Sequence, residues 1–163
     1  MRPMRLFKRE IKDEEILREI LEECDVVRLG GFDEDGMFIV PVNYGYELEN
    51  IGGKMHLRLY IHGAKEGRKA EAFAKNASVA VEMDCCHEVI TGDYTCSYSY
   101  RSIMGNGRIH VLTEKEKQIH ALTKIMEHLA PDAEIRFRPE MLERTAVFCI
   151  DVEDFTGKER KKK

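Results

Sequence analysis

Met55-His56-Leu57-Arg58-Leu59-Tyr60-Ile61-His62-Gly63-Ala64-Lys65-Glu66-Gly67-Arg68-Lys69 changes its period halfway along. Met55, Leu57, Leu59 and Ile61 alternate with His56, Arg58, Tyr60 and His62, the two-residue period of a strand with one face in a core. After Gly63 the period becomes helical, with Ala70, Phe73, Ala74 and Ala77 at packing spacing and Asn76 as a fitting stop. A strand that ends in His-Gly and turns into a helix is well suited to hold a phosphate. Free N–H groups at the helix start attract anions. Gly63 lets the backbone come close, and Arg68 and Lys69 add charge-assisted donors.

The same alternation extends to both sides. Asp13 is an N-cap for a helix that puts Ile16, Leu17, Ile20, Leu21 and Cys24 on one face. Val26 to Leu29 is a short strand, and Asp33-Glu34-Asp35-Gly36 is a hairpin turn. Phe38, Val40, Val42, Tyr44 and Tyr46 then form the core face of one strand. Asn50 to Lys54 is a second turn. Val79, Val81 and Met83 continue the pattern, followed by an extended run from Ser97 to Leu112. Thr113-Glu114-Lys115-Glu116 reads as a capping box opening a helix with Ile119, Leu122, Ile125, Met126 and Leu129 inward, ended by Pro131. A last strand runs from Thr145 to Val152. With about six strands in consecutive runs and three main helices, the expectation is a mainly β, antiparallel barrel with peripheral helices. One domain over residues 1–163 is expected, with flexible ends at 1–10 and 157–163.

Bulk composition narrows the function classes. The chain has 163 residues, 43% hydrophobic and 34% charged, with a net charge of −4. That balance lacks the basic footprint of a nucleic-acid binder. No apolar run is long enough for a membrane span, and the basic N-terminus lacks a signal peptide's apolar stretch. Five cysteines, an odd count without a secretion signal, argue against a disulfide framework. The expected setting is the cytoplasm, with neither nucleic acid nor membrane as partner.

Two further stretches carry candidate chemistry. On the strand from Met37 to Tyr46, the odd positions Met37, Ile39, Pro41, Asn43 and Gly45 form the second face. Pro41 cannot donate a ladder bond, which suggests an edge, and Asn43 is a polar point in apolar surroundings. This face could present backbone groups and one amide to a flat heterocycle, or be a bent edge with a solvated Asn43. In Tyr100-Arg101-Ser102-Ile103-Met104-Gly105-Asn106-Gly107-Arg108, alternate glycines bare one face, either for a planar ligand or for a barrel bend. Cys85-Cys86-His87 with Cys96 has ligand chemistry but no C-x-x-C spacing, so no metal is expected there. There is no G-x-G-x-x-G, Walker loop, G-x-S-x-G or H-E-x-x-H. A phosphate-holding turn without a nucleophile system suits a cofactor that carries the hard chemistry.

Val40-Pro41-Val42-Asn43-Tyr44-Gly45-Tyr46, Ile61 to Lys69 and Tyr100 to Gly107 together resemble the nitroimidazole-resistance (Nim) branch of the pyridoxamine 5′-phosphate oxidase-like proteins. The resemblance spans about residue 4 to Lys158. It implies a split β-barrel that binds FMN at a homodimer interface. It sets Val40, Pro41, Val42, Asn43 and Tyr44 beside the flavin ring, His62 and Gly63 at the ring or ribityl chain, and Ala64 among the cofactor-binding residues. Arg68 and Lys69 match the pair that clamps the phosphate, and Arg101 and Ser102 the segment that contacts the ring. The implied activity is an FMN-dependent oxidoreductase acting on a small electron acceptor such as a nitroaromatic. The alternative is a non-catalytic flavin or haem carrier, with His62, His56 or His87 as haem ligands. Val152 to Lys158 is of the Nim-like type and lacks the substrate-phosphate residues of a true pyridoxamine phosphate oxidase.

Overall fold

The structure, a computed structural model, describes residues 2–162. A single 3-10 turn (Phe7–Arg9) leads into β1 (Glu10–Ile11). α1 (Glu14–Glu23) starts where the Asp13 carboxylate accepts the Glu15 N–H at 2.9 Å, and its Leu17, Ile20 and Leu21 are buried. There follow β2 (Val26–Asp33), β3 (Gly36–Asn43), β4 (Gly45–Ile51), β5 (Lys54–Ala64), α2 (Arg68–Lys75) and β6 (Ser78–Gly92). β7 (Thr95–Val111), α3 (Lys115–Leu129), α4 (Pro139–Arg144) and β8 (Thr145–Arg160) complete the chain. All pairings are antiparallel, in the order β3-β2-β6-β7-β8-β5-β4, with β1 added to β8. β3 also packs against β5, which brings the two ends of the sheet together as a split barrel. Val27, Leu29, Leu59, Ile61, Met83 and Phe148 are among the residues that fill it. A smaller core lies under α3, where Tyr60, Val147 and Cys149 point out of the barrel onto Leu122 and Ile125. β5 and β8 are therefore buried on both faces there.

The architecture differs from the sequence expectation at several points. The run from Phe38 to Tyr46 is two strands, because the chain changes partner at Tyr44: β3 pairs with β2 and β4 with β5. The expected flexible end at 157 is ladder instead. Gly157 pairs with Ile11 on one side and Ile103 on the other, and β8 continues to Arg160. Residues 7–11 likewise have regular structure. The capping box at Thr113 does not form; Glu114 is the N-cap of α3, without a side-chain bond. On α2 it is Ala72 rather than Ala74 that is buried, and Leu129 of α3 is exposed. The bare sides of Gly105 and Gly107 meet protein backbone. Backbone of β8 fills the space: an added Cβ at Gly107 would collide with the Asp151 carbonyl oxygen, and one at Gly105 with that of Asp154.

Candidate functional site

The turn from β5 into α2 has the shape its sequence suggests. Gly67 has φ 118°, a conformation that L side chains rarely adopt, and caps α2 without a side-chain acceptor. The first-turn N–H groups therefore have no side-chain partner. Arg68 and Lys69 then diverge. Arg68 reaches the β2–β3 turn, where Nε lies 2.6 Å from Asp33 Oδ2 and Nη2 2.9 Å from Oδ1. Its guanidinium also stacks 4.9 Å over the Phe38 ring. The Arg68 hydrogen bond holds the Asp33 carboxyl below the usual carboxylate range.

Lys69 turns the other way, onto Gly63. A Cβ at Gly63 would stand 2.7 Å from the Lys69 ammonium nitrogen. Among the described residues Lys69 has no carboxylate partner, and partial burial lowers its pKa from the ordinary 10.5. His62 keeps an exposed edge. Crowding first, and the Lys69 charge second, lower its pKa from 6.5, which favours the neutral imidazole. Ala64 is exposed at the end of β5, opposite Thr145.

On β3, Val40 and Val42 are half-buried toward the barrel, while Pro41 and Asn43 are exposed on the outside of an edge strand. That is the place a proline fits. The Asn43 amide nitrogen donates to the Asp25 carbonyl at 2.9 Å, which leaves its oxygen unengaged. The Tyr44 side chain is withdrawn into the core. Its hydroxyl shares one proton between the Leu21 carbonyl at 2.7 Å and the Cys24 carbonyl at 2.8 Å, and burial pushes its pKa far above a phenol's usual value.

Arg101 and Ser102 are neighbours on β7 and so point to opposite faces. Arg101 faces α1, with Nη1 2.6 Å from Glu19 Oε2 and Nε 3.4 Å from Glu159 Oε2. Ser102 lies on the outer face of the sheet, in a cavity of about 520 Å3 lined also by Arg28, Gly30, Ile39, Met104 and Lys158. This face is apolar and open: Met37 is 87% exposed, Ile39 74% and Met104 58%. The cavity around Ser102 does not include the His62–Lys69 cluster.

The sequence reading missed Asp33, Glu19 and Glu159, which hold Arg68 and Arg101. Asp33 was legible only as a turn residue, since nothing in a turn signal specifies a partner 35 positions away. In the cysteine loop the Cys85 and Cys86 sulfurs lie 3.6 Å apart. His87 Nε2 lies 2.9 Å from Asp84 Oδ2, Cys86 has φ 58° beside Cys85, and Cys96 stands opposite Thr91 farther along the hairpin. No helix among the described residues is long and apolar enough to cross a membrane.

Comparisons with known proteins agree with this architecture. The family model described as pyridoxamine 5′-phosphate oxidase matches residues 13–159. No curated protein matches the chain. Among solved structures, the chain is similar to a candidate 5-nitroimidazole antibiotic resistance protein from Bacteroides thetaiotaomicron VPI-5482. Identity there is 26%, over 92% of this chain and 86% of that one, with a TM-score of 0.80. The fold is shared with a flavocytochrome from Azotobacter vinelandii (20% identity, 98% and 73% coverage, TM-score 0.77). It is also shared with an FAD and heme binding protein from Mycobacterium smegmatis (19% identity, 94% and 74% coverage, TM-score 0.77). The chain belongs to the pyridoxamine 5′-phosphate oxidase family of flavin-binding split barrels, in its Nim-like branch.

Proposed function

We propose that the protein is an FMN-dependent oxidoreductase that delivers electrons to a small acceptor such as a nitroaromatic, and that it works as a homodimer with the flavin between the chains. The observation that carries this reading is the Lys69 ammonium, free of any carboxylate among the described residues, lying on bare Gly63 beside the uncapped first turn of α2. That donor set fits a phosphate dianion. It does not require Arg68, which Asp33 holds; a phosphate would have to compete for it. Bound flavin would supply the electron-transfer chemistry that no side chain here can. The chain's own residues bind and orient. The free Asn43 oxygen accepts a hydrogen bond, the exposed Val40–Asn43 edge and Ser102 offer polar points, and neutral His62 offers an uncharged ring. Arg101 adds little net charge, since Glu19 and Glu159 compensate it. A second copy would cover the apolar face around Ile39 and Met104 and complete the wall that one chain lacks.

A second reading, a flavin or haem carrier without turnover, is favoured by the two haem-associated structural relatives. Of its candidate ligands, His87 is tied to Asp84, whereas His56 and His62 make no ion pair. Two measurements separate the readings. Purified protein is mixed with FMN, freed of excess and scanned in the visible. It is then cycled with a nicotinamide cofactor as reductant and a nitroaromatic as oxidant. A retained, perturbed flavin band with many cycles supports the oxidoreductase. A retained band without cycles transfers the assignment to the carrier, and no retained flavin overturns both flavin readings.

A further inference from the structure

We propose that His110, Cys149 and Asp151 bind one zinc-class divalent ion on the outer face of the β7–β8 ladder. The register makes the cluster. His110 stands directly opposite Cys149, and Asp151 lies two residues beyond it on the same face. One ligand atom from each residue falls within 4.8 Å of the others. His110 Nδ1 and Asp151 Oδ2 are 3.7 Å apart. Two ligands on a tetrahedral ion, with bonds of ~2.0–2.3 Å, stand roughly 3.3–3.8 Å apart.

The surroundings suit an ion. Arg58 Nε lies 3.0 Å from Asp151 Oδ1, which orients the carboxylate and leaves Oδ2 for a metal. The three side chains line a cavity of about 580 Å3, which leaves room for water as a fourth ligand. On its rim the His120 ring pairs with Glu47 and packs edge-on to Tyr60, 5.7 Å between centroids. Ordinary ion pairing accounts for Arg58, Asp151 and His110. It does not involve Cys149, whose sulfur sits at the edge of the core under α3 and within 4.8 Å of the His110 and Asp151 ligand atoms. On binding a cation the Cys149 thiol proton would leave to solvent and the thiolate would become the ligand. Sulfur with imidazole and a single carboxylate selects zinc over magnesium or calcium, which prefer oxygen.

The test uses the full chain and cobalt(II) as a spectroscopic stand-in for zinc. One equivalent of cobalt should bind with a thiolate-to-metal charge-transfer band and the visible bands of a four-coordinate ion, and zinc should displace it. Cys149→Ser should abolish the charge-transfer band. Cys149→Ser and His110→Ala should each weaken binding by more than about tenfold, since even outer-shell partners of metal ligands cost roughly 10–100-fold when removed. His110 is exposed, so its variant tests binding without disturbing the core. Failure to bind one equivalent overturns the proposal. So does stoichiometric binding that neither substitution diminishes, because the ion then sits on other side chains.

Discussion

Lys69 and Arg68 are adjacent cations with different surroundings, and the difference is testable at single residues. Among the described residues Lys69 has no acid to neutralise it, so Lys69→Ala should weaken FMN binding by about 10–100-fold, the equivalent of a charged hydrogen bond of ~1.5–3 kcal/mol. Quenching of flavin fluorescence during titration measures it, and an unchanged affinity would remove Lys69 from the site. Gly63→Ala gives a separate reading. The added methyl meets only the flexible end of Lys69, so stability should hold while FMN affinity drops. The proton linkage has a definite sign. With Lys69 depressed below 10.5, FMN affinity should fall as pH rises through that lowered value, before an ordinary lysine would titrate. In flavin-free protein the unfolded chain binds this proton more tightly. The group therefore subtracts stability at low pH, and the loss is relieved between the lowered value and 10.5. A Lys69→Met variant should flatten both profiles. The Gly63–Lys69 turn was legible because its signals are local. The Asp33–Arg68 pair was not, because only the folded sheet brings a hairpin turn to a helix start.

At the scale of elements, Tyr44 explains both a failed expectation and a stability contribution. Alternation from Phe38 to Tyr46 reads as one strand, since periodicity reports which face is apolar and says nothing of which neighbour is paired. The break comes where Tyr44 turns its hydroxyl onto carbonyls at the C-terminal end of α1, groups that a helix leaves without intrahelical partners. Tyr44→Phe should therefore cost about 1–3 kcal/mol by leaving buried acceptors unsatisfied, visible as a lower urea midpoint. An unchanged midpoint would mean that water replaces the hydroxyl. Gly45, the next residue, is where α3 meets the sheet: an added Cβ would strike the backbone at Lys124 and Ile125. Gly45→Ala should undock α3 at a cost of about 1–3 kcal/mol, read as faster amide exchange in α3 than in α1. Helix α1 was legible down to its Asp13 cap. The true length of β8 was not, since Gly157-Lys-Glu-Arg has the composition of a loose tail and is ordered by pairing with β1 and β7.

For the whole molecule, the legible part was the split barrel itself, carried by alternating strands and three spaced motifs. The assembly was legible only as a need for cover. Met37 and Ile39 appear in the sequence as apolar residues on the wrong face of an edge strand, and the fold sets them on the same outer face as Met104 of β7. Gly30 and Ala80, paired with each other, leave a low floor between them. Burying side chains of that size is worth about 1.5–3 kcal/mol each, enough for a modest number to hold two chains together. Ile39→Glu places a charge at the centre of this face, while the barrel interior is untouched because the side chain points outward. The wild-type chain should sediment as a dimer that retains FMN, and Ile39→Glu as a folded monomer that has lost it. A monomeric wild type would refute the dimer. A monomeric Ile39→Glu protein that still holds FMN would show that the flavin site lies within one chain, and the phosphate site proposed at Lys69 would then have to account for binding without help from a partner.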